Sequence, residues 1–157
     1  PDRWSVGPAV PLAATGAPNH AGSWGPDGRK LLFESRRDGN REIYIAEADG
    51  SDERNLTQNA AADFFGRWSP DGREILFWSM RTGNGDLFVM NADGSNLRQI
   101  TSDASQDRMP AWSPDGRKVG FQSDRDGQPF DLYVKDLANG DVMRLTCGLA
   151  SCPMTRP

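Results

Sequence analysis

A five-residue motif, Trp-x-Pro-Asp-Gly, occurs three times in this chain, and its spacing constrains the fold more than any other feature. The motif begins at residues 24, 68 and 112, so each copy follows the last by 44 residues. Its constant positions are Trp24, Pro26, Asp27, Gly28, Trp68, Pro70, Asp71, Gly72, Trp112, Pro114, Asp115 and Gly116. Periods of about 40 to 45 residues with four strands each are typical of β-propeller blades. The sequence therefore predicts an all-β chain built from three repeated units.

Each unit is predicted to hold four short strands joined by tight turns. Apolar runs follow the motifs at residues 30–35, 74–79 and 118–123, and second runs lie at 42–45, 86–89 and 131–134. The fourth strand of each unit is expected to end at Thr57, Thr101 or Thr146. Pro presets one backbone torsion of a turn and Gly supplies a positive one, so Pro-Asp-Gly and Asp-Gly mark the turns. No segment carries an apolar stripe of helical period longer than one turn, which disfavours helical repeats.

The repeat also assigns the ends of the chain. We predict blade 1 at residues 14–57, blade 2 at 58–101 and blade 3 at 102–146, followed by a tail at 147–157. Residues 1–13 contain Val10-Pro11-Leu12, which is in phase with the final strands of the repeats, and we interpret it as the outer strand of a preceding blade. Propellers have about four to eight blades, so three do not close a ring. The expected β-propeller has three complete four-stranded blades per chain plus one extra N-terminal strand.

Composition narrows the possible functions. Gly (17) and Pro (11) make up about 18% of the 157 residues, against a usual level near 12%, which fits frequent turns. The net charge of −4 argues against nucleic acid as a partner. No apolar run approaches the about 20 residues that span a bilayer, so no membrane insertion is expected. Cys147 and Cys152 leave three alternatives open: a small disulfide loop, incidental thiols, or ligands of a metal site.

The repeat resembles the WD40-like propeller repeat of the TolB family, which is also similar to the propeller domains of dipeptidyl peptidases and prolyl oligopeptidases. The resemblance rests on Trp-Ser-Pro-Asp-Gly followed by Phe-x-Ser, Asp-Gly, Leu-Tyr/Phe-Val and Leu/Ile-Thr, and it covers residues 13–146. It implies a six-bladed ring, so we expect two chains to pair as half-rings in a homodimer. It also implies a channel that accepts a peptide segment of a partner, with calcium in some cases. A periplasmic or extracellular location is expected.

Three polar residues, Asn19, Asp63 and Asp107, stand five positions before each motif Trp. The first strand of a propeller blade faces the central channel, so we expect these residues to form an acidic ring at one mouth of the channel. Close carboxylates raise one another's pKa or recruit a cation, and oxygen ligands suit Ca²⁺. Asp63 and Asp107 are therefore the candidate metal ligands. The alternative is that they cap turns or pair with Arg67 and Arg108.

The side chains next to this ring differ from copy to copy. Residues that contact a partner on a repeated frame would vary in this way, and so would residues that drift at solvent-exposed positions. The candidate partner-binding residues, together with Asn19, Asp63 and Asp107, are His20, Phe64, Phe65, Arg108 and Met109.

Enzymatic chemistry is not expected. The chain has a single histidine, His20, and no Gly-x-Ser-x-Gly elbow, so a nucleophile with its base and orienting group is missing. The predicted function is a non-enzymatic protein- or peptide-binding scaffold that requires no cofactor. The alternatives are a fragment or half-ring module that completes a larger propeller, and the propeller domain of a peptidase or carbohydrate-active enzyme.

Overall fold

The described part of the chain forms three antiparallel sheets of four strands each. The computed structural model describes residues 18–127 and 129–146. Blade 1 contains β1 (Asn19–Trp24), β2 (Lys30–Ser35), β3 (Glu42–Glu47) and β4 (Arg54–Asn55). Blade 2 contains β5 (Asp63–Trp68), β6 (Glu74–Ser79), β7 (Asp86–Asn91) and β8 (Arg98–Gln99). Blade 3 contains β9 (Asp107–Trp112), β10 (Lys118–Ser123), β11 (Asp131–Asp136) and β12 (Val142–Arg144). The strands of each blade pair in chain order, which confirms the predicted all-β fold.

The strand boundaries agree with the sequence prediction in the second strands and differ in the fourth. β2, β6 and β10 occupy the predicted residues, and β3, β7 and β11 run two residues further than predicted. The fourth strands end before the predicted threonines. A side chain explains the difference in blade 1, where the Ile43 amide donates to Thr57 Oγ1 at 3.1 Å, so a hydroxyl replaces the strand carbonyl. The same contact recurs at Thr101 and Thr146.

The Pro-Asp-Gly turns have one backbone conformation in all three blades. Gly28, Gly72 and Gly116 have φ values of 70, 72 and 70°, a region that L side chains rarely adopt. The preceding aspartate carboxylate accepts a backbone N–H two residues later in each turn. The repeated motif therefore serves the backbone geometry of the β1–β2, β5–β6 and β9–β10 connections.

The hydrophobic cores lie between neighbouring blades. One cluster joins blades 1 and 2 through Leu32, Ile43, Ile45, Ile75, Phe77, Phe88 and Met90. A second joins blades 2 and 3 through Leu76, Leu87, Val89, Val119, Phe121 and Tyr133. Trp68 packs against the first cluster and Trp112 against the second, so these two motif tryptophans contribute to the interblade packing. Both faces of blade 2 are thus buried.

The first strands of neighbouring blades lie next to each other. In the described part of the chain β1 contacts β5 and β5 contacts β9, whereas no fourth strand contacts the fourth strand of another blade. The blades therefore converge on the side of their first strands. The extra strand predicted within residues 1–13 lies outside the described residues, and so do Cys147 and Cys152, for which the three alternatives stay open. The predicted blade limits and the six-bladed ring stay predictions.

Candidate functional site

The candidate residues lie at one end of the blades, which we call the upper face. It carries the starts of β1, β5 and β9 and the turns between the second and third strands; the Pro-Asp-Gly turns form the opposite, lower face. Backbone hydrogen bonds join neighbouring blades here: the Asp63 amide donates to the Arg41 carbonyl at 2.8 Å, and the Asp107 amide to the Gly85 carbonyl at 2.6 Å. The frame of the upper face is therefore continuous from blade to blade.

The two aspartates of the predicted acidic ring are fully buried and each is paired with an arginine. Arg81 Nη2 lies 3.0 Å from both carboxylate oxygens of Asp63. Arg125 Nη2 lies 3.0 and 2.9 Å from the two oxygens of Asp107. The structure thus differs from the expectation of free carboxylates at a channel mouth. The alternative pairing with Arg67 and Arg108 is not observed either. Each aspartate pairs instead with the arginine 18 positions later in the same blade.

Strand pairing explains why these arginines are the partners. β5 and β6 pair Asp63 with Ser79, and Arg81 follows two residues later in the turn. The Arg81 Nε donates to Ser79 Oγ at 2.9 Å, which turns the guanidinium back over the strand towards Asp63. The guanidinium carbon also lies 4.8 Å from the Phe88 ring centroid. The Asp–Arg pair is consequently a buried latch between the start of the first strand and the end of the second.

Burial and hydrogen bonding act in opposite directions on Asp107. Burial raises the pKa of this carboxyl, and hydrogen bonds from Ser123 and Arg125 oppose the rise. The nearby carboxylate of Asp103 also raises this pKa. Asp103 pairs with the same arginine, since its Oδ2 lies 3.0 Å from Arg125 Nη2. The upper face of blade 3 therefore holds two carboxylates around one guanidinium, which leaves a net charge of −1 in this cluster when both carboxyls are ionised.

Blade 1 departs from this latch. Asn19 stands where blades 2 and 3 have aspartate, and the equivalent arginine, Arg37, instead pairs with Glu53 at 2.5 Å. Arg37 still stacks over the blade, 4.4 Å from the Tyr44 ring centroid, and its Nη2 is buried without a hydrogen-bond partner. The repeated arginine is thus kept where its aspartate is missing.

Metal binding by these aspartates stays a prediction. Across residues 18–127 and 129–146 no three His, Cys, Asp or Glu side chains are grouped so as to hold a metal ion. A calcium ion at Asp63 or Asp107 would have to displace an arginine that makes two hydrogen bonds to the carboxylate. Carboxylate oxygens suit Ca²⁺, but in this structure the arginines already occupy them.

The first strands of blades 2 and 3 each contain a β-bulge at equivalent positions. The pairing register of β5 with β6 shifts between Phe64 and Arg67, and that of β9 with β10 shifts at the equivalent place. Phe65 and Met109 have φ values of 55 and 52°, which are uncommon for residues other than glycine. Met109 is 48% exposed. Bulges re-aim side chains and backbone strain often marks functional positions, so these residues stay candidates for partner contact.

A buried carboxylate holds the bulge of blade 2. Glu34 is 5% exposed; its Oε1 accepts the Phe65 amide at 2.9 Å, and its Oε2 accepts Arg41 Nη1 at 3.1 Å. Phe64 stacks on Trp78 with ring centroids 4.2 Å apart and planes inclined by 14°. The blade 1–blade 2 junction thus presents an ordered layer of aromatic and guanidinium groups.

The remaining candidates are placed by blade 3 and blade 1. The Arg108 guanidinium carbon lies 3.5 Å from the ring centroid of Phe130, which stands between β10 and β11 and stacks on this arginine. His20 and Asn19 are exposed on β1. The sequence reasoning missed Glu34, Arg41, Trp78, Arg81 and Arg125; the recurrence of Ser-x-Arg at residues 35–37, 79–81 and 123–125 was the available signal for the latch.

These sheets and their interblade cores define a β-propeller. The family model of the TolB beta propeller domain matches residues 10–95 and 80–153, and the chain belongs to that family. A search of curated protein sequences gave no match. In the part of the chain that the structure describes, no helix is long and apolar enough to cross a membrane.

Solved structures show the same likeness. A protein assigned as TolB from Agrobacterium tumefaciens is 33% identical, with a TM-score of 0.73 over 81% of this chain and 48% of that one. TolB from Acinetobacter baumannii is 27% identical, with a TM-score of 0.74 over 81% of this chain and 32% of that one. Oligogalacturonate lyase from Vibrio parahaemolyticus is 21% identical (TM-score 0.69, 85% and 42% covered) and shows the fold alone. The chain spans less than half the length of the TolB structures.

Proposed function

We propose that this TolB-like propeller is a non-enzymatic scaffold that binds a protein or peptide partner at its upper face. The observation that carries the proposal is the pair of bulges at Phe65 and Met109. Both side chains stand on a left-handed backbone, and both occupy equivalent places in a repeated frame while differing in chemistry. A frame held by buried latches with different side chains at equivalent positions is suited to recognition. A periplasmic or extracellular location is part of the proposal and rests on the resemblance to TolB.

The test is the affinity of peptides selected on the chain from a random displayed library. The double variant Phe65→Gly and Met109→Gly removes both side chains while glycine keeps the positive φ. We expect it to lower the affinity of the selected peptides by at least about tenfold, the effect of losing about 1.4 kcal/mol. The control is Leu97→Ala, because Leu97 is 46% exposed and lies beside the lower-face end of β8, away from the bulges. Equal affinities for wild type and both variants would contradict the proposal.

Calcium binding at Asp63 and Asp107 is a separate question, on which the sequence prediction and the observed arginine pairing disagree. Titration calorimetry on wild type and on the Asp63→Asn, Asp107→Asn double variant decides it, with circular dichroism to confirm that the variant is folded. Because each carboxylate already accepts two hydrogen bonds from an arginine, we expect no saturable calcium heat in either protein. A heat that is present in wild type and lost in the double variant would support the calcium site predicted from the sequence.

A second candidate function is completion of a larger propeller, and the outward face of blade 3 favours it. Leu87 of blade 2 is fully buried against blade 3, while its counterpart Leu132 is 44% exposed and Leu145 is 54% exposed. Trp24 is also exposed at the other end, whereas its counterparts pack into interblade cores. Each end thus carries one half of the contact that joins neighbouring blades.

We propose that a second copy covers these ends, so that two half-rings form a six-bladed homodimer. Light scattering on the chain tests this, with Leu132→Glu as the variant and Leu97→Glu as a control at another exposed leucine. A dimer that Leu132→Glu alone dissociates would support the half-ring. A stable wild-type monomer would contradict it and leave blades of another chain segment as the occupant.

A further inference from the structure

A small cavity on the upper face between blades 1 and 2 has an unusual lining, and we call it the basic notch. It has a volume of about 230 Å³ and is lined by Arg36, Gly39, Asn40, Arg41, Ala62 and Phe64. The lining includes two arginines and no carboxylate. In a chain of net charge −4, two cations that share one cavity point to an anionic ligand.

The two guanidinium groups differ in how they are held. Arg41 is anchored by Glu34 through one nitrogen, and its guanidinium carbon lies 5.4 Å from the Phe64 ring centroid. Arg36 is exposed, and its side chain makes no hydrogen bond or ion pair with the described residues. One cation is therefore positioned in advance and the other is available to close on a ligand. Phe64, stacked on Trp78, forms an apolar wall beside them.

The repeat shows that these charges are not needed by the propeller frame. At the junction of blades 2 and 3 the equivalents of Arg36 and Arg41 are Met80 and Gly85, 44 residues later. The frame itself is the same at both junctions: Asn40 Nδ2 donates to two carbonyls of the connection to the next blade, and Asn84 Nδ2 does likewise. The hydrogen bonds of the junction thus recur between blades 2 and 3, whereas the two arginines occur only between blades 1 and 2.

We propose that the basic notch binds a carboxylate group of the peptide partner, with an adjoining apolar group of that partner against Phe64. Guanidinium groups bind carboxylates through paired, charge-assisted hydrogen bonds, and Arg36 has its donors available. The carboxylate belongs to the last residue of a chain or to an acidic side chain, which share this chemistry. This inference rests on the proposed function. It adds that the partner places a negatively charged group at the junction of blades 1 and 2.

The experiment is an NMR titration of the ¹⁵N-labelled chain with three probes. N-acetylphenylalanine carries a terminal carboxylate, N-acetylglutamic acid α-amide carries only a side-chain carboxylate, and N-acetylphenylalanine amide carries none. We expect saturable shifts of the Arg41 and Phe64 signals with at least one carboxylate probe, and the tighter one identifies the source. Binding should weaken at high salt. Absence of binding by both carboxylate probes, or equal binding by the amide, would overturn the proposal.

The matched variant is Arg36→Met, which installs the residue of the equivalent junction. We expect it to weaken carboxylate binding at least about fivefold, while Arg117→Met, at an exposed arginine of the lower face, leaves binding unchanged. Arg41→Lys is the second variant, because it keeps a cation for buried Glu34 and still loses the planar fork. Unchanged binding in both notch variants would overturn the inference. If the selected peptides nevertheless lose affinity for the bulge variants, the proposed function stands without this notch.

Discussion

Removing Asp63 should destabilise the chain strongly, because it opens the latch of blade 2. Asp63 is fully buried, and both its oxygens lie 3.0 Å from Arg81 Nη2. The Arg81 side chain is only 13% exposed. In Asp63→Ala this guanidinium keeps its contacts with the rings of Phe77 and Phe88 and loses its counter-charge. Leaving a buried charge without its partner costs about 3–5 kcal/mol.

The assay is urea denaturation followed by tryptophan fluorescence. With a urea dependence of about 2 kcal/mol per M, a loss of 3–5 kcal/mol lowers the unfolding midpoint by about 1.5–2.5 M. Total stabilities are about 5–15 kcal/mol, so Asp63→Ala is at risk of not folding. Asp63→Asn is the companion variant, because it keeps the size and one acceptor and should cost about 1–3 kcal/mol.

The matched control is Asp27→Asn, an exposed carboxylate whose amide replacement can still accept the Arg29 N–H of its turn. We expect it to change the free energy of unfolding by less than about 0.5 kcal/mol. If Asp63→Ala and Asp63→Asn both lie within 1 kcal/mol of wild type, roughly the effect of an average point mutation, the latch does not stabilise the blade and the reasoning is refuted.

Three further predictions concern packing and pH. Leu87→Ala should lower the free energy of unfolding by about 2–5 kcal/mol, because Leu87 is fully buried, whereas Leu132→Ala should lower it by less than about 1 kcal/mol in a monomer. Equal losses in urea midpoints would show that Leu132 is buried as well. Gly66→Ala should lower the free energy of unfolding by about 1–3 kcal/mol, because a Cβ there would lie 2.9 Å from a methyl group of Ile43 in blade 1. Gly120→Ala should be tolerated, because the nearest heavy atom to its Cβ would be 3.9 Å away. The reverse order in thermal melting would contradict this interblade packing. Burial raises the pKa of Glu42 above its ordinary value, so the folded state binds the carboxyl proton more tightly than the unfolded state does. Wild type should therefore lose stability relative to Glu42→Gln as the pH rises above about 4. A difference in stability between the two proteins that stays constant from about pH 4 to 7 would argue against this.

The fold was predictable because the repeat fixes each turn. Pro26-Asp27-Gly28 and its copies set where each second strand begins. Consecutive apolar residues such as Leu87, Phe88 and Val89 point to opposite faces of the strand, and they pack into the cores on both sides of blade 2. The ends of the fourth strands were not predictable from apolar pattern, since side-chain hydroxyls such as Thr57 Oγ1 replace backbone acceptors there. The local sequence pattern therefore predicts the turns and the strands beside them, but not where the fourth strands end.

The site was predicted in part. Asp63 and Asp107 were singled out by their equivalence, and their burial and arginine partners were missed because nearby Arg67 and Arg108 were considered instead. The true partners lie across an antiparallel pair, where Asp63 opposes Ser79. The bulges at Phe65 and Met109 carry no local signal, because neither residue favours a positive φ. Contacts across strands and strained torsions depend on the assembled sheet.

Hydrogen exchange of the chain with and without a saturating selected peptide tests the central claim most directly. The account predicts that the peptide slows exchange at the starts of β5 and β9 and in the turn at residues 36–41, while the Pro-Asp-Gly turns of the lower face keep their rates. Protection confined to the Pro-Asp-Gly turns or to β11 and β12 would show that the partner binds elsewhere and would contradict recognition at the upper face.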